Sequence, residues 1–300
     1  MNRLLNGLVA ATHTPFQKDG SLNLNAIEKI AYHLLANQIE VAFIGGSTGE
    51  SHSLNLDERL ALATRWFEVT KGSKLKVVVH VGSNCLEDSK KLASQAHALK
   101  AVAISALTPS YFKPKNVDVL IDCCASIANA APVTPFYYYD IPVMTGVNLS
   151  MPEFLEKAGN RISNLQGLKF TNVDFMSFQL CQQVDNSKFE ILWGVDEMLL
   201  PALSVGAKGA VGSTYNFAAP IYHRIINAFN NSDFETARKE QLQSIRLVNI
   251  LVKRGYMASA KAMMEMLGVE VGPPRLPNSL LKNEEIISLK EELIKAGYLS

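Results

Sequence analysis

Residues 41–81 read VAFIGGSTGESHSLNLDERLALATRWFEVTKGSKLKVVVHV, and the order of their elements decides the fold. Val41-Ala42-Phe43-Ile44 is a short uncharged run of the kind buried on both faces of a parallel sheet. Gly45-Gly46-Ser47-Thr48-Gly49-Glu50 follows as a tight strand-to-helix turn. Asn55 and Glu58 have capping-box spacing, and Leu56, Leu60, Ala63 and Phe67 then recur at helical period. Val77-Val78-Val79-His80-Val81 begins the next strand. Strand, turn, helix and strand in that order make one βαβ unit.

The same alternation extends in both directions. Further strand-like runs centre on Leu8–Ala11, Val102–Leu107, Phe136–Tyr139, Gly167–Phe170, Glu190–Trp193 and Gly209–Gly212, eight in all. Between the first two, Ile27, Ile30, Ala31, Leu34 and Leu35 keep helical spacing. Eight strand-helix units, with no G-x-G-x-x-G after the first strand, predict an α/β fold of the (β/α)8 TIM barrel type rather than an open doubly wound sheet. From about Asp233 the strand signal stops. Leu242, Ile245, Val248 and Val252 predict one helix, and further helices are expected near 259–267 and 283–296, with Gly272-Pro273-Pro274-Arg275-Leu276-Pro277 as a rigid connector. The expected organisation is a catalytic barrel over 1–230 and a C-terminal helical extension over 231–300 packed on it.

Composition excludes several functions. The 300 residues carry 29 Lys and Arg against 28 Asp and Glu, a net charge of +1, so no electropositive face for nucleic acid is expected. The longest uncharged stretch, Cys123 to Tyr139, contains Pro132 and Pro135 and falls short of the roughly 20 apolar residues of a membrane span. Leu8–Ala11 is too brief for a signal-peptide core, which makes the cytoplasm the default compartment. Cys85, Cys123, Cys124 and Cys181 lack C-x-x-C spacing and are read as reduced, mostly buried thiols. His13, His33, His52, His80, His97 and His223 form no H-E-x-x-H, and no P-loop occurs, so neither a metal nor an organic cofactor is expected.

In a parallel barrel, chemistry collects at the carboxyl ends of the strands. Lys169 interrupts the apolar Leu168-Lys169-Phe170, where an ammonium is expensive to bury. Desolvation there favours the neutral amine, a nucleophile able to form a Schiff base with a ketone. The competing reading is a strand-end lysine reaching solvent or paired with a carboxylate. Thr171 shares its facing, because side chains alternate along a strand. Alternation also puts Tyr137 and Tyr139 on one face, so a phenol is expected inside the barrel near its top, either packed or relaying a proton. The 45–50 turn would suit a carboxylate, though an ordinary βα turn has the same composition. Gly194-Val195-Asp196-Glu197 and Gly212-Ser213-Thr214 can grip a polyol, or simply place acids at a helix N-terminus. His80 reads as a packed histidine.

Taken together, Gly46-Ser47-Thr48-Gly49-Glu50, Thr108-Pro109-Ser110-Tyr111, Tyr139-Asp140-Ile141-Pro142, Gly167-Leu168-Lys169 and Gly212-Ser213-Thr214 resemble the class I pyruvate-dependent aldolases of the dihydrodipicolinate synthase and N-acetylneuraminate lyase group. The resemblance covers essentially the whole chain. Phe136-Tyr137-Tyr138-Tyr139, Gly194-Val195-Asp196-Glu197 and the Gly272–Pro277 tail are similar to the lyase branch. Synthases of the group place an arginine five residues after the motif tyrosine, where this chain has Met144. The resemblance implies reversible cleavage of N-acetylneuraminate to N-acetylmannosamine and pyruvate. Lys169 would form the Schiff base and Tyr139 would move the proton. It also implies that Ser47 and Thr48 hold the keto-acid carboxylate, and that Thr171, Gly194, Asp196, Glu197 and Ser213 bond the sugar hydroxyls. Tyr111 would complete a relay with Ser47 across a subunit contact of a homotetramer. Asp140 stands where the group commonly has asparagine or histidine, and Ser110 where it has a bulkier residue. Alternatives are a related aldolase for another 2-keto-3-deoxy acid, a synthase-like condensation, a metal-dependent aldolase and a silent keto-acid-binding barrel.

Overall fold

Each of the eight apolar runs is a strand. The structure is a computed structural model and describes residues 4–299. Strands β1 (Gly7–Ala11), β2 (Val41–Ile44), β3 (Lys76–His80), β4 (Ala103–Ala106), β5 (Phe136–Asp140), β6 (Leu165–Phe170), β7 (Glu190–Trp193) and β8 (Gly209–Gly212) pair in parallel, each with the next. Strand β8 returns to β1 and closes the barrel. Helices α1 (Ala26–Ala36), α2 (Leu56–Thr70), α3 (Leu86–Ala98), α4 (Val117–Ala128), α5 (Pro142–Thr145), α6 (Met151–Ala158), α7 (Phe175–Gln183) and α8 (Leu199–Ser204) lie between strands. Helices α9 (Tyr215–Asn230), α10 (Phe234–Val252), α11 (Tyr256–Met266) and α12 (Asn283–Lys295) follow the last strand. The chain is a (β/α)8 TIM barrel with a C-terminal helical part. No helix among the described residues is long and apolar enough to cross a membrane.

The two-residue period of the strands divides the apolar side chains into two cores. Val9, Ala11, Val41, Phe43, Val78, Ala103, Tyr137, Tyr139, Leu192 and Val211 fill the barrel. Ala10, Ile44, Val79, Ile104, Tyr138, Leu168, Phe170 and Trp193 face the helices. Tyr137 and Tyr139 thus share the inner face and Tyr138 takes the outer, as alternation requires.

Two helices present faces other than those their leucines suggest. In α2 the capping box of Asn55 and Glu58 forms, but the buried stripe is Arg59, Leu62, Ala63 and Trp66, with Leu56, Leu60 and Phe67 only half-buried. Arg59 turns inward because its guanidinium donates to the carbonyls of Gly82 and His80, at 2.8 Å each. In α10, Leu242 and Val252 are exposed, while Gln241 and Ser244 are buried. Gln241 accepts from the Leu200 amide at 2.7 Å and donates to Ser244 Oγ at 2.6 Å. Satisfied polar groups can occupy a core face, and here they decide which way the helix turns. The thiols also depart from expectation, since Cys124 and Cys181 are buried but Cys85 is exposed and Cys123 half-buried.

Candidate active site

The carboxyl ends of β2, β5, β6, β7 and β8 converge on the barrel mouth. Lys169 lies on the inner face of β6, directly opposite Tyr139 in the β5–β6 register, and is 4% exposed. Its ammonium sits 3.8 Å from the centre of the Tyr139 ring and 4.5 Å from that of Phe43. Among the described residues it has no ion-pair partner. It neither reaches solvent nor meets a carboxylate, so the two ordinary fates of a strand-end lysine do not apply. Two aromatic faces pack on the nitrogen, and neither commits it to a hydrogen bond.

Tyr139 is held on three sides. Phe43 and His80 pack edge-on against its ring, with centroids 6.1 and 5.9 Å away, and its hydroxyl is 3.3 Å from Ser47 Oγ. His80 is committed to structure: Nδ1 bonds the Gly45 carbonyl at 2.9 Å and Nε2 accepts from the Leu107 amide at 3.3 Å. Burial and the neighbouring Arg59 hold its imidazole neutral, well below the usual histidine range. The side chain that fixes the phenol therefore carries no charge toward Lys169.

Thr171 and Gly194 follow β6 and β7. A side chain at Gly194 would bring a Cβ within 2.0 Å of Thr171 Oγ1, so glycine is required for the two backbones to approach. Thr171 Oγ1 is buried and has no partner, an unused hydroxyl at the mouth. Gly212 makes the same concession to Asp196, whose Oδ1 would lie 2.0 Å from an added Cβ. Asp196 is buried, and its Oδ2 accepts from the Thr214 amide at 2.8 Å and the Thr214 hydroxyl at 2.6 Å. Burial, reinforced by the charge of Glu197, pushes Asp196 up to about 6. One of its oxygens is thus spent internally, while Glu197 remains half-buried.

The sequence did not point to Tyr256. It opens α11, more than 80 residues beyond Lys169, and its hydroxyl lies 2.5 Å from Ser213 Oγ. No local signal marks it, because its place depends on the C-terminal helices folding back over the barrel. Tyr111 shows the reverse. The single chain does not bring it to the other candidates: it is 79% exposed and packs edge-on against Phe112, itself 86% exposed. Asp140, next to Tyr139, faces outward toward Tyr138 and Cys181, with Asn172 bonding its side chain.

A family model described as the dihydrodipicolinate synthetase family matches residues 4–296. The chain belongs to this family. Among curated members it is similar to N-acetylneuraminate lyase of Gallus gallus, 40% identical over 96% of this chain and 95% of that one. N-acetylneuraminate lyase of Homo sapiens is 40% identical, over 99% of this chain and 94% of that one. The solved structure of the Aliivibrio salmonicida N-acetylneuraminate lyase superposes with a TM-score of 0.96 at 42% identity, covering 100% of this chain and 99% of that one. A family member from Cyanidioschyzon merolae, a DHDPS with lysine bound, superposes at 0.90 but with 28% identity.

Proposed function

We propose that this protein is a class I aldolase that cleaves N-acetylneuraminate reversibly to N-acetylmannosamine and pyruvate. The observation that carries the reading is Lys169, buried, unpaired and set against the Tyr139 ring, in a chain about 40% identical to curated N-acetylneuraminate lyases along nearly its whole length. The Lys169 amine adds to the ketone carbon of the open-chain sugar acid, and loss of water gives an iminium. The Tyr139 hydroxyl relays a proton: its oxygen accepts the one leaving the hydroxyl on the carbon that becomes the aldehyde as its own phenolic proton passes to Ser47 Oγ, and the relayed proton is the one the enamine carbon later takes up. The adjacent carbon-carbon bond then breaks, its electrons passing to the iminium to leave the enamine of pyruvate. Protonation of the enamine and hydrolysis release pyruvate and restore the amine. Ser47 and Thr48 hold the carboxylate. Thr171, Gly194, Asp196, Glu197 and Ser213 bond the sugar hydroxyls, with Thr171 Oγ1 the donor most clearly in need of a partner.

Met144 in place of a guanidinium supports a neutral sugar over an aldehyde bearing a carboxylate, since no bidentate fork is present to hold the second acid. The exposed pair Tyr111 and Phe112 supports assembly as a homotetramer in which Tyr111 meets Ser47 across a subunit contact. We place the enzyme in the cytoplasm, and divide it into a catalytic barrel over 1–230 and the extension over 231–300. Intact-mass spectrometry after borohydride reduction tests the chemistry. A reduced pyruvyl adduct on Lys169, formed with pyruvate and equally with N-acetylneuraminate, is the expected result. An adduct with pyruvate alone would redirect the assignment to another keto acid, and none with either would overturn it.

A further inference from the structure

Glu50 ends the turn that carries Ser47 and Thr48, yet its carboxylate leaves the mouth altogether. Its backbone is left-handed, at φ 54° and ψ 38°, and its amide donates to the Ser47 carbonyl at 3.0 Å. The side chain runs to Lys261 on α11, forming an ion pair of 2.7 Å with both side chains 1% exposed. The Lys261 ammonium also donates to the carbonyls of Thr14 at 2.9 Å and Pro273 at 3.1 Å, over the Phe16 ring. Glu50 Oε2 accepts from the Arg275 amide at 2.8 Å. The Arg275 guanidinium in turn bonds Glu58 and the carbonyls of Gly20 and Ser53. Thr14 closes the ring, its hydroxyl donating to the Gly49 carbonyl at 2.7 Å.

We infer that Glu50 and Lys261 are positioning residues for the keto-acid carboxylate, a buried clasp through which the C-terminal helices fix the Ser47–Thr48 turn. Neither touches the substrate; each acts through the backbone of residues 46–51. Stability is a poor explanation for the pair. Burial pulls the Lys261 ammonium down to about 8, against the help of Glu50, so keeping it charged opposes folding. What an ion pair with several fixed carbonyl partners supplies instead is direction, since a left-handed glutamate tied at both oxygens leaves the turn one place to sit. The Ser47 hydroxyl, 3.3 Å from that of Tyr139, then faces the mouth without having to be ordered by the ligand.

The inference rests on the reading that Ser47 and Thr48 receive the keto-acid carboxylate, and the test separates the two. Borohydride inactivation of the full chain is measured against pyruvate concentration for wild type, Ser47→Ala, Lys261→Met and Glu50→Gln/Lys261→Met. The double variant removes both buried charges and keeps the volume, so it folds even where Lys261→Met alone strands Glu50. The expected result is that half-saturating pyruvate rises about tenfold in both Lys261 variants. The inactivation rate at saturation stays within about threefold, and the KM for N-acetylmannosamine in the condensation direction is unmoved. If Ser47→Ala raises half-saturation but the folded double variant stays within about twofold of wild type, the clasp is overturned. A proportional loss in every parameter overturns it as well, because general loosening is not positioning. If Ser47→Ala itself changes nothing, the carboxylate reading fails and the clasp fails with it.

Discussion

Tyr137 and Tyr139 lie two residues apart on β5, both buried on the inner face of the barrel, and their surroundings could hardly differ more. Tyr137 stands at the amino end. Its hydroxyl donates to Glu190 Oε2 at 2.8 Å, and the same carboxylate accepts from the Leu4 and Leu5 amides and Gln166 Nε2. Every oxygen of Glu190 is satisfied by groups fixed to the barrel floor. At the carboxyl end, Tyr139 meets Ser47 through a longer contact, Lys169 lacks an ion-pair partner and Thr171 Oγ1 bonds nothing. One end of the barrel closes its polar account internally, and the other keeps donors in reserve for a ligand. The same residue type is therefore tied down at one level and, in the proposed reaction, moves a proton at the next.

Substitutions at the two ends can break that contrast. The largest effect is expected for Lys169→Ala: kcat falls by at least about 10⁴-fold, because the covalent step is gone, while thermal unfolding starts no lower than in wild type. Substantial residual turnover would end the Schiff-base reading. Tyr139→Phe should lower kcat by about 10²- to 10⁴-fold in steady-state assays, again with an unchanged melt. A melt lowered by several degrees with normal kcat would show that Tyr139 is packing, like its neighbour below.

A third test concerns a buried carboxyl outside the mouth. Burial pushes the outward-facing Asp140 up to about 7 from its ordinary 3.8. As pH rises between these values, the unfolded chain releases this proton first, so the group's contribution to stability falls and is lost above about 7. Asp140→Asn removes the slope. Its melting temperature should match wild type near pH 4 and exceed it at pH 8, by the equivalent of about 4 kcal/mol. Equal melts at both values would mean that Asp140 is not held protonated. The smallest effect is expected for Tyr137→Phe, which leaves Glu190 one donor short and should cost about 1 kcal/mol in denaturant unfolding with kcat unchanged. If it instead impaired turnover, the division between floor and mouth would fail.

Much of this contrast was legible in the sequence. Eight apolar runs bounded by turn residues specify parallel strands whatever surrounds them, because a period of two and a period of 3.6 bury different residues. The period of two also put Tyr137 with Tyr139 on one face, and Lys169 with Thr171 on one face, before any contact was known; that Tyr139 and Lys169 turn inward came from the closed barrel. Helix facing was less legible. Arg59 and Gln241 turn inward because backbone groups distant in sequence satisfy them, and Ser244 follows because Gln241 bonds it; apolar spacing carries no record of those partners.

What the sequence by itself determined is the barrel, the alternation of faces along its strands, and the residue types gathered at its carboxyl end. These follow from local periodicity and from the geometry of parallel strands. Only the tertiary structure decided that Lys169 has rings rather than a carboxylate for neighbours, that Tyr256 meets Ser213, and that Lys261 reaches Glu50. Each is a contact between segments far apart in the chain, and burial, which sets the strength of such contacts, is a property of the folded whole.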